Sequence, residues 1–110
     1  MTFEEVAELV SLQVGDASML TNGHGISLTQ ALVRPQRISV IAQTVEAGRV
    51  KEEVLIVWLV GQEGGIDGYQ IIMRDDGLQF GLATSGFPAD RYPSFLVGWY
   101  GNLMSAFMGM

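Results

Sequence analysis

The stretch that decides the fold is VLIVWLVGQEGGIDGYQIIMRDDGLQFGLATS, from Val54 to Ser85. It holds three strand patterns and the turns between them. Val54 to Val60 is an unbroken apolar run, and Tyr69 to Asp75 alternates apolar with polar. After Asp76-Gly77, a dipeptide suited to a two-residue hairpin turn, Leu78 to Thr84 alternates again. That turn sets Met73 opposite Phe80, Ile71 opposite Leu82 and Tyr69 opposite Thr84, so one face of the ribbon is apolar. The other face sets Gln70, Ile72 and Arg74 against Ala83, Gly81 and Gln79 and is mostly polar. In the first run, Val54, Ile56, Trp58 and Val60 share one face and Leu55, Val57 and Leu59 the other. A strand apolar on both sides is a central strand covered twice.

Upstream, Thr2 and Glu5 have the spacing of a capping box, and Phe3, Val6, Ala7, Val10 and Val14 recur at helical spacing up to a stop at Gly15. This predicts an N-terminal helix with its acids in the first turns, laid on an apolar surface. Asn22-Gly23-His24-Gly25 reads as a loop. Ser27 and Gln30 form a second capping box, opening a short helix over Leu28 to Val33 that ends ahead of Pro35. Residues 37–46 fit a helix face through Ile38, Ile41, Ala42 and Val45, and a strand through Ile38, Val40 and Ala42. The β-branched content favours the strand, with 47–50 returning the chain into the next one. Downstream, Ser94 to Met110 carries no charge. At helical spacing Phe95, Leu96, Trp99, Leu103, Ala106, Phe107 and Met110 form a broad apolar face, with Gly98, Gly101, Ser105 and Gly109 as a stripe of small residues. The expectation is α+β in one domain, 1–110: an N-terminal helix, a four-stranded antiparallel meander (37–46, 52–60, 69–75, 78–84) and a C-terminal apolar helix packed on the sheet.

The 110 residues are 48% hydrophobic and only 16% charged, which argues against disorder and leaves apolar surface for a partner. Two-sided burial with apolar residues left over points to a homodimer, through the tail helix or a sheet face. Without cysteine there is no disulfide, thiolate or cysteine–zinc chemistry. Glu4, Glu5 and Glu8 stand where a secretory signal would place basic residues, which favours the cytoplasm. The net charge of −6 is segregated: Arg34, Arg37, Arg49 and Lys51 form the one basic stretch, and acids dominate 52–90. Such a chain repels phosphate backbones, so nucleic acid is not an expected partner; a basic protein partner fits the sign. The seventeen uncharged tail residues are short for a membrane span, lack flanking positive charge and are broken by glycines, so no membrane is expected.

Clustered carboxylates at Glu63, Asp67, Asp75 and Asp76 could hold a cation or serve as an acid/base pair. Their spacing matches no cation-binding loop, and Glu63 and Asp67 fall at the opposite end of the Tyr69–Asp75 strand from Asp76. Metal and cofactor are therefore not expected. His24, the only histidine, has no partner motif for catalysis and reads as a solvated loop residue. GQEGGIDG lacks the glycine spacing of a nucleotide loop. The functional expectation is a non-enzymatic acidic module working through protein–protein contact, as inhibitors, immunity-type proteins and adaptors do, with Glu63, Asp67, Asp75 and Asp76 on its recognition surface. The alternative is a small-ligand binder using Trp58, Tyr69, Trp99 and Tyr100 in a cleft between sheet and C-terminal helix. An enzyme would need folding to bring His24 or a carboxylate pair beside a pocket.

Overall fold

A computed structural model describes residues 1–63, 68–84 and 94–110. The N-terminal capping box forms as the spacing predicts. The Thr2 hydroxyl accepts from the Glu5 N–H and the Glu5 carboxylate accepts from the Thr2 N–H, opening α1 (Phe3–Val14), which buries Val6 and Val10. Ser27 and Gln30 cap α2 in the same reciprocal way. That helix is only Leu28–Ala31, shorter than predicted, because the chain turns extended at Leu32.

Five strands follow: β1 (Leu32–Glu46), β2 (Arg49–Gln62), β3 (Tyr69–Arg74), β4 (Phe80–Thr84) and β5 (Ser94–Gly101), with α3 (Leu103–Met108) closing the chain. Consecutive strands pair antiparallel, and β5 returns to β1 to close a barrel. An up-and-down chain of five leaves its first and last strands running the same way, so the closing pair, Val40 with Ser94 and Ile41 with Phe95, is parallel.

The α+β class with helices at both ends is as expected; the four-stranded meander and the long tail helix are not. Ser94–Gly101 is the fifth strand, and helix is confined to Leu103–Met108, where the Asn102 side chain accepts from Ser105 N–H. The apolar residues placed at helical spacing also serve a strand whose register against β4 shifts between Leu82 and Ala83. Strand β1 begins at Leu32 and runs through Pro35, tolerated because the register with β2 breaks between Leu32 and Gln36. The β3–β4 register is as predicted, from Tyr69 with Thr84 to Met73 with Phe80. Its turn differs: Gly77 N–H donates to Arg74 C=O and only Gly77 has positive φ, so Asp76-Gly77 is not a mirror-type pair.

Two packed layers result. The larger lies outside the barrel, where Trp58, Val60, Ile71, Met73, Phe80 and Leu82 meet α1, α2 and α3. The smaller lies inside: Val40, Val57, Ile72 and Ala83, with Ile38, Leu55, Leu96 and Trp99 against them. Five strands enclose little room, so the face that reads as the weaker one in sequence, with Gly81, Ala83 and Ile72, is the one that turns inward. Of the apolar run, Val57 to Val60 is buried as predicted for a doubly covered strand. Val54 and Ile56, 65% and 50% exposed, are not, because that half of β2 leaves the barrel.

Candidate functional site

The part that leaves the barrel is a two-stranded arm. Strand β3 pairs with β2 only from Val57 downward, and β5 meets β1 only at Val40 and Ile41. Beyond those points β1 and β2 continue together from Ile41 with Val54 to Glu46 with Arg49. Ala47 and Gly48, both at positive φ (50° and 75°), form the two-residue loop at the tip, the mirror-type turn that matches strand twist. Val45 is 73% exposed and Val50 65%, on the same outer face as Val54 and Ile56. Such a ribbon is marginal in water without a third strand.

Beside the arm opens a groove of about 600 Å³, lined by Glu53, Leu55, Ile56 and Val57 of β2, by Arg74, Asp75 and Asp76 at the β3–β4 turn, and by Trp99 of β5. Its floor is apolar and its rim acidic. The rim is held in place by a small ionic network. Asp75 Oδ1 accepts from Trp58 Nε1–H at 2.9 Å and from Arg37 Nη2 at 3.2 Å, with the N-terminal ammonium at 3.9 Å. Arg37 also lies over the Trp58 ring. Arg74 reaches Asp76 Oδ2 at 3.4 Å and lies 5.9 Å from the centre of the Trp99 ring, while Asp76 Oδ1 accepts from Leu78 N–H. The two aspartates thus anchor the turn and still line the groove.

The four candidate acids do not converge. Asp75 and Asp76 share the groove. Glu63 sits at the other end of β3, where its carboxylate meets His24 Nδ1 at 2.8 Å and faces Tyr69 N–H at 3.5 Å; the His24 ring also stacks on Tyr69. His24 is thus part of a clasp on the β2–β3 connection. Asp67 lies outside the described residues. Among those described, no group of histidine and acidic side chains has the geometry of a metal site.

The four candidate aromatics separate too. Trp58 belongs to the outer layer and Trp99 to the inner one. Tyr69 is with His24, and Tyr100 packs near the backbone at Gly109. The strand conformation of Ser94–Gly101 removes the long helix that was to form one wall of their common cleft. Sequence reasoning missed Glu53, Leu55, Ile56, Val57 and Arg74 as groove residues. The signal was present in RVKEEVLIV (Arg49 to Val57), where a charged, alternating half passes into an apolar half, as in a strand leaving a core.

The chain matches no protein-family model, no curated protein and no solved structure. No helix among the described residues is long and apolar enough to cross a membrane.

Proposed function

We propose that this chain is a non-enzymatic protein-binding module whose docking surface is the arm together with the acidic groove at its base. One observation carries the reading: among the described residues no strand pairs with the β2 edge from Arg49 to Ile56, which runs directly beside a groove lined by apolar Leu55, Ile56, Val57 and Trp99 and by carboxylates at Glu53, Asp75 and Asp76. A free edge offers main-chain hydrogen bonds, and the groove offers side-chain discrimination, the two components of strand addition. The groove carboxylates favour a partner strand that turns basic side chains toward them. Capture from host extract with the wild-type protein and with Glu53→Lys/Asp76→Lys tests it at low and moderate salt. The wild type should retain a partner that the double variant loses. Equal recovery by both would place binding elsewhere and refute the reading.

A further inference from the structure

The arm that borders the acidic groove carries two of the chain's basic residues on the face that such a groove would receive. Along β2, three of the four groove residues, Glu53, Leu55 and Val57, share the parity of Arg49 and Lys51, which sets those two on that side of the ribbon, whereas Val50, Glu52 and Val54 lie on the other; Ile56, of that other parity, borders the groove as well. The tip sets the hydrogen-bond phase as well. A two-residue loop closes on a hydrogen-bonded pair, Glu46 with Arg49, and hydrogen-bonded and non-bonded pairs then alternate. Residues 49, 51 and 53 therefore bond β1, and the main-chain groups of 50, 52, 54 and 56 point to the free edge. The same phase holds further down, where Trp58 meets Met73 of β3.

We infer that this docking surface takes a second copy of the same chain: two β2 edges pair antiparallel about a two-fold axis at Glu52. The inference rests on the reading of the arm as a docking surface and names its occupant. A two-fold axis normal to the ribbon maps each face onto itself, so even residues must pair with even and odd with odd. Three central registers meet that condition. An axis at Lys51 sets the two lysines face to face and Val50 against Glu52, and pairs Arg49 with the second copy's Glu53 twice. An axis at Glu53 opposes the two Glu53 and sets Lys51 against Leu55. An axis at Glu52 pairs Lys51 with the second copy's Glu53 and Val50 with its Val54, each twice, and brings its Arg49 over Leu55 in the groove bounded by Asp75 and Asp76. Opposite charges in directly opposed, non-bonded positions, where side chains approach closest, favour the axes at Lys51 and Glu52 over the one at Glu53, and the apolar Val50–Val54 pair, against Val50 facing Glu52, favours the axis at Glu52. The costs are a Glu52–Glu52 contact at the axis, softened because Gln43 Nε2 donates to each Glu52 at 3.2 Å, and the turning of Lys51 Nζ away from Glu46 Oε2, which it meets at 2.9 Å within the chain. The product is a four-stranded ribbon in place of two marginal two-stranded ones.

Sedimentation equilibrium tests the assembly, and charge exchange tests the register. The wild type should sediment at twice the chain mass. Lys51→Glu and Glu53→Lys should each weaken association about tenfold, and the double exchange Lys51→Glu/Glu53→Lys should restore it. Glu52→Gln should tighten it about threefold by relieving the contact at the axis. The chain has no cysteine, so Glu52→Cys offers a clean cross-link. Paired residues in a hydrogen-bonded position stand about 5.5 Å apart, within disulfide reach, whereas Thr44→Cys on the outer strands of the ribbon is roughly 16 Å from its copy. Oxidation should give a covalent dimer with the first and none with the second. A wild-type protein that stays monomeric at every concentration, or a double exchange that fails to restore association, overturns the inference. If that protein still captures a host partner through the groove, the docking surface stands and only its proposed occupant falls.

Discussion

Closure of the barrel depends on β5 lying close against β4, and Gly81→Ala tests that contact. A Cβ at position 81 would lie 2.5 Å from the Gly98 carbonyl oxygen and 2.7 Å from Trp99 Cε3. A carbon–oxygen contact relaxes at roughly 3.3–3.6 Å, so β4 and β5 must part by about 0.8 Å at this point. The obstacle is main chain in a paired strand rather than the end of a flexible side chain, so the strain belongs in the upper part of the usual overpacking range of about 1–3 kcal/mol. The lower unfolded-state entropy of alanine returns about 0.4–1 kcal/mol. The net expectation is a loss of about 2 kcal/mol, a melting temperature lower by about 8 °C. Urea unfolding followed by tryptophan fluorescence measures it, with an unchanged m-value showing that the unfolded state is not the cause. Gly23→Ala is the control, because a Cβ there meets nothing within 4 Å and the backbone is not left-handed. If Gly81→Ala falls within about 0.5 kcal/mol of that control, β5 is not packed on β4 as described and the reasoning fails.

At the arm tip, Ala47→Asn should stabilise the protein by about 0.5 kcal/mol, since asparagine tolerates the left-handed backbone that alanine adopts there at φ 50°; a lower midpoint in urea would contradict the turn assigned to 47–48. Trp58→Phe removes the 2.9 Å bond to Asp75 and weakens the stacking of Arg37, for an expected loss of about 1–2 kcal/mol by the same unfolding measurement. Full retention of stability would mean that the Asp75 network does not hold the turn. The Glu5 carboxyl is held below its ordinary pKa, first by the Thr2 N–H and then by the Thr2 hydroxyl. A depressed folded-state pKa adds stability above the unfolded value and loses it as pH falls through the folded one. The stability difference between wild type and Glu5→Gln should therefore be largest near neutrality and shrink on acidification, as read from unfolding across pH; a constant difference would rule the linkage out.

What could be read from the sequence was local. The Thr2–Glu5 capping box and the alternation from Tyr69 to Thr84 specify α1 and the β3–β4 register, because their partners lie within a few residues or across one turn. The tail was misread for a physical reason: Phe95, Leu96, Trp99 and Leu103 satisfy helical spacing, and the register shift beside Leu82 hides the strand period they follow. Gly98, placed in a small-residue helix stripe, instead pairs with Leu82 in the sheet, and its carbonyl lies where a Cβ on Gly81 would go. The groove was legible only in fragments. Asp75 and Asp76 drew notice as a pair of turn carboxylates, yet Glu53 and Trp99 come from distant strands that only barrel closure brings beside them. The arm is a matter of strand length: β2 outlasts β3, and where β3 stops is fixed by a turn fifteen or more residues further on.

Amide hydrogen exchange resolved along β2 tests the free edge most directly. In dilute protein, residues 51 and 53 should exchange slowly, bonded to β1, while 50, 52 and 54 exchange quickly, and concentrating the protein should slow that second set. Equal protection of both sets at the highest dilution would show that another strand already covers the edge, leaving no open docking surface on the arm.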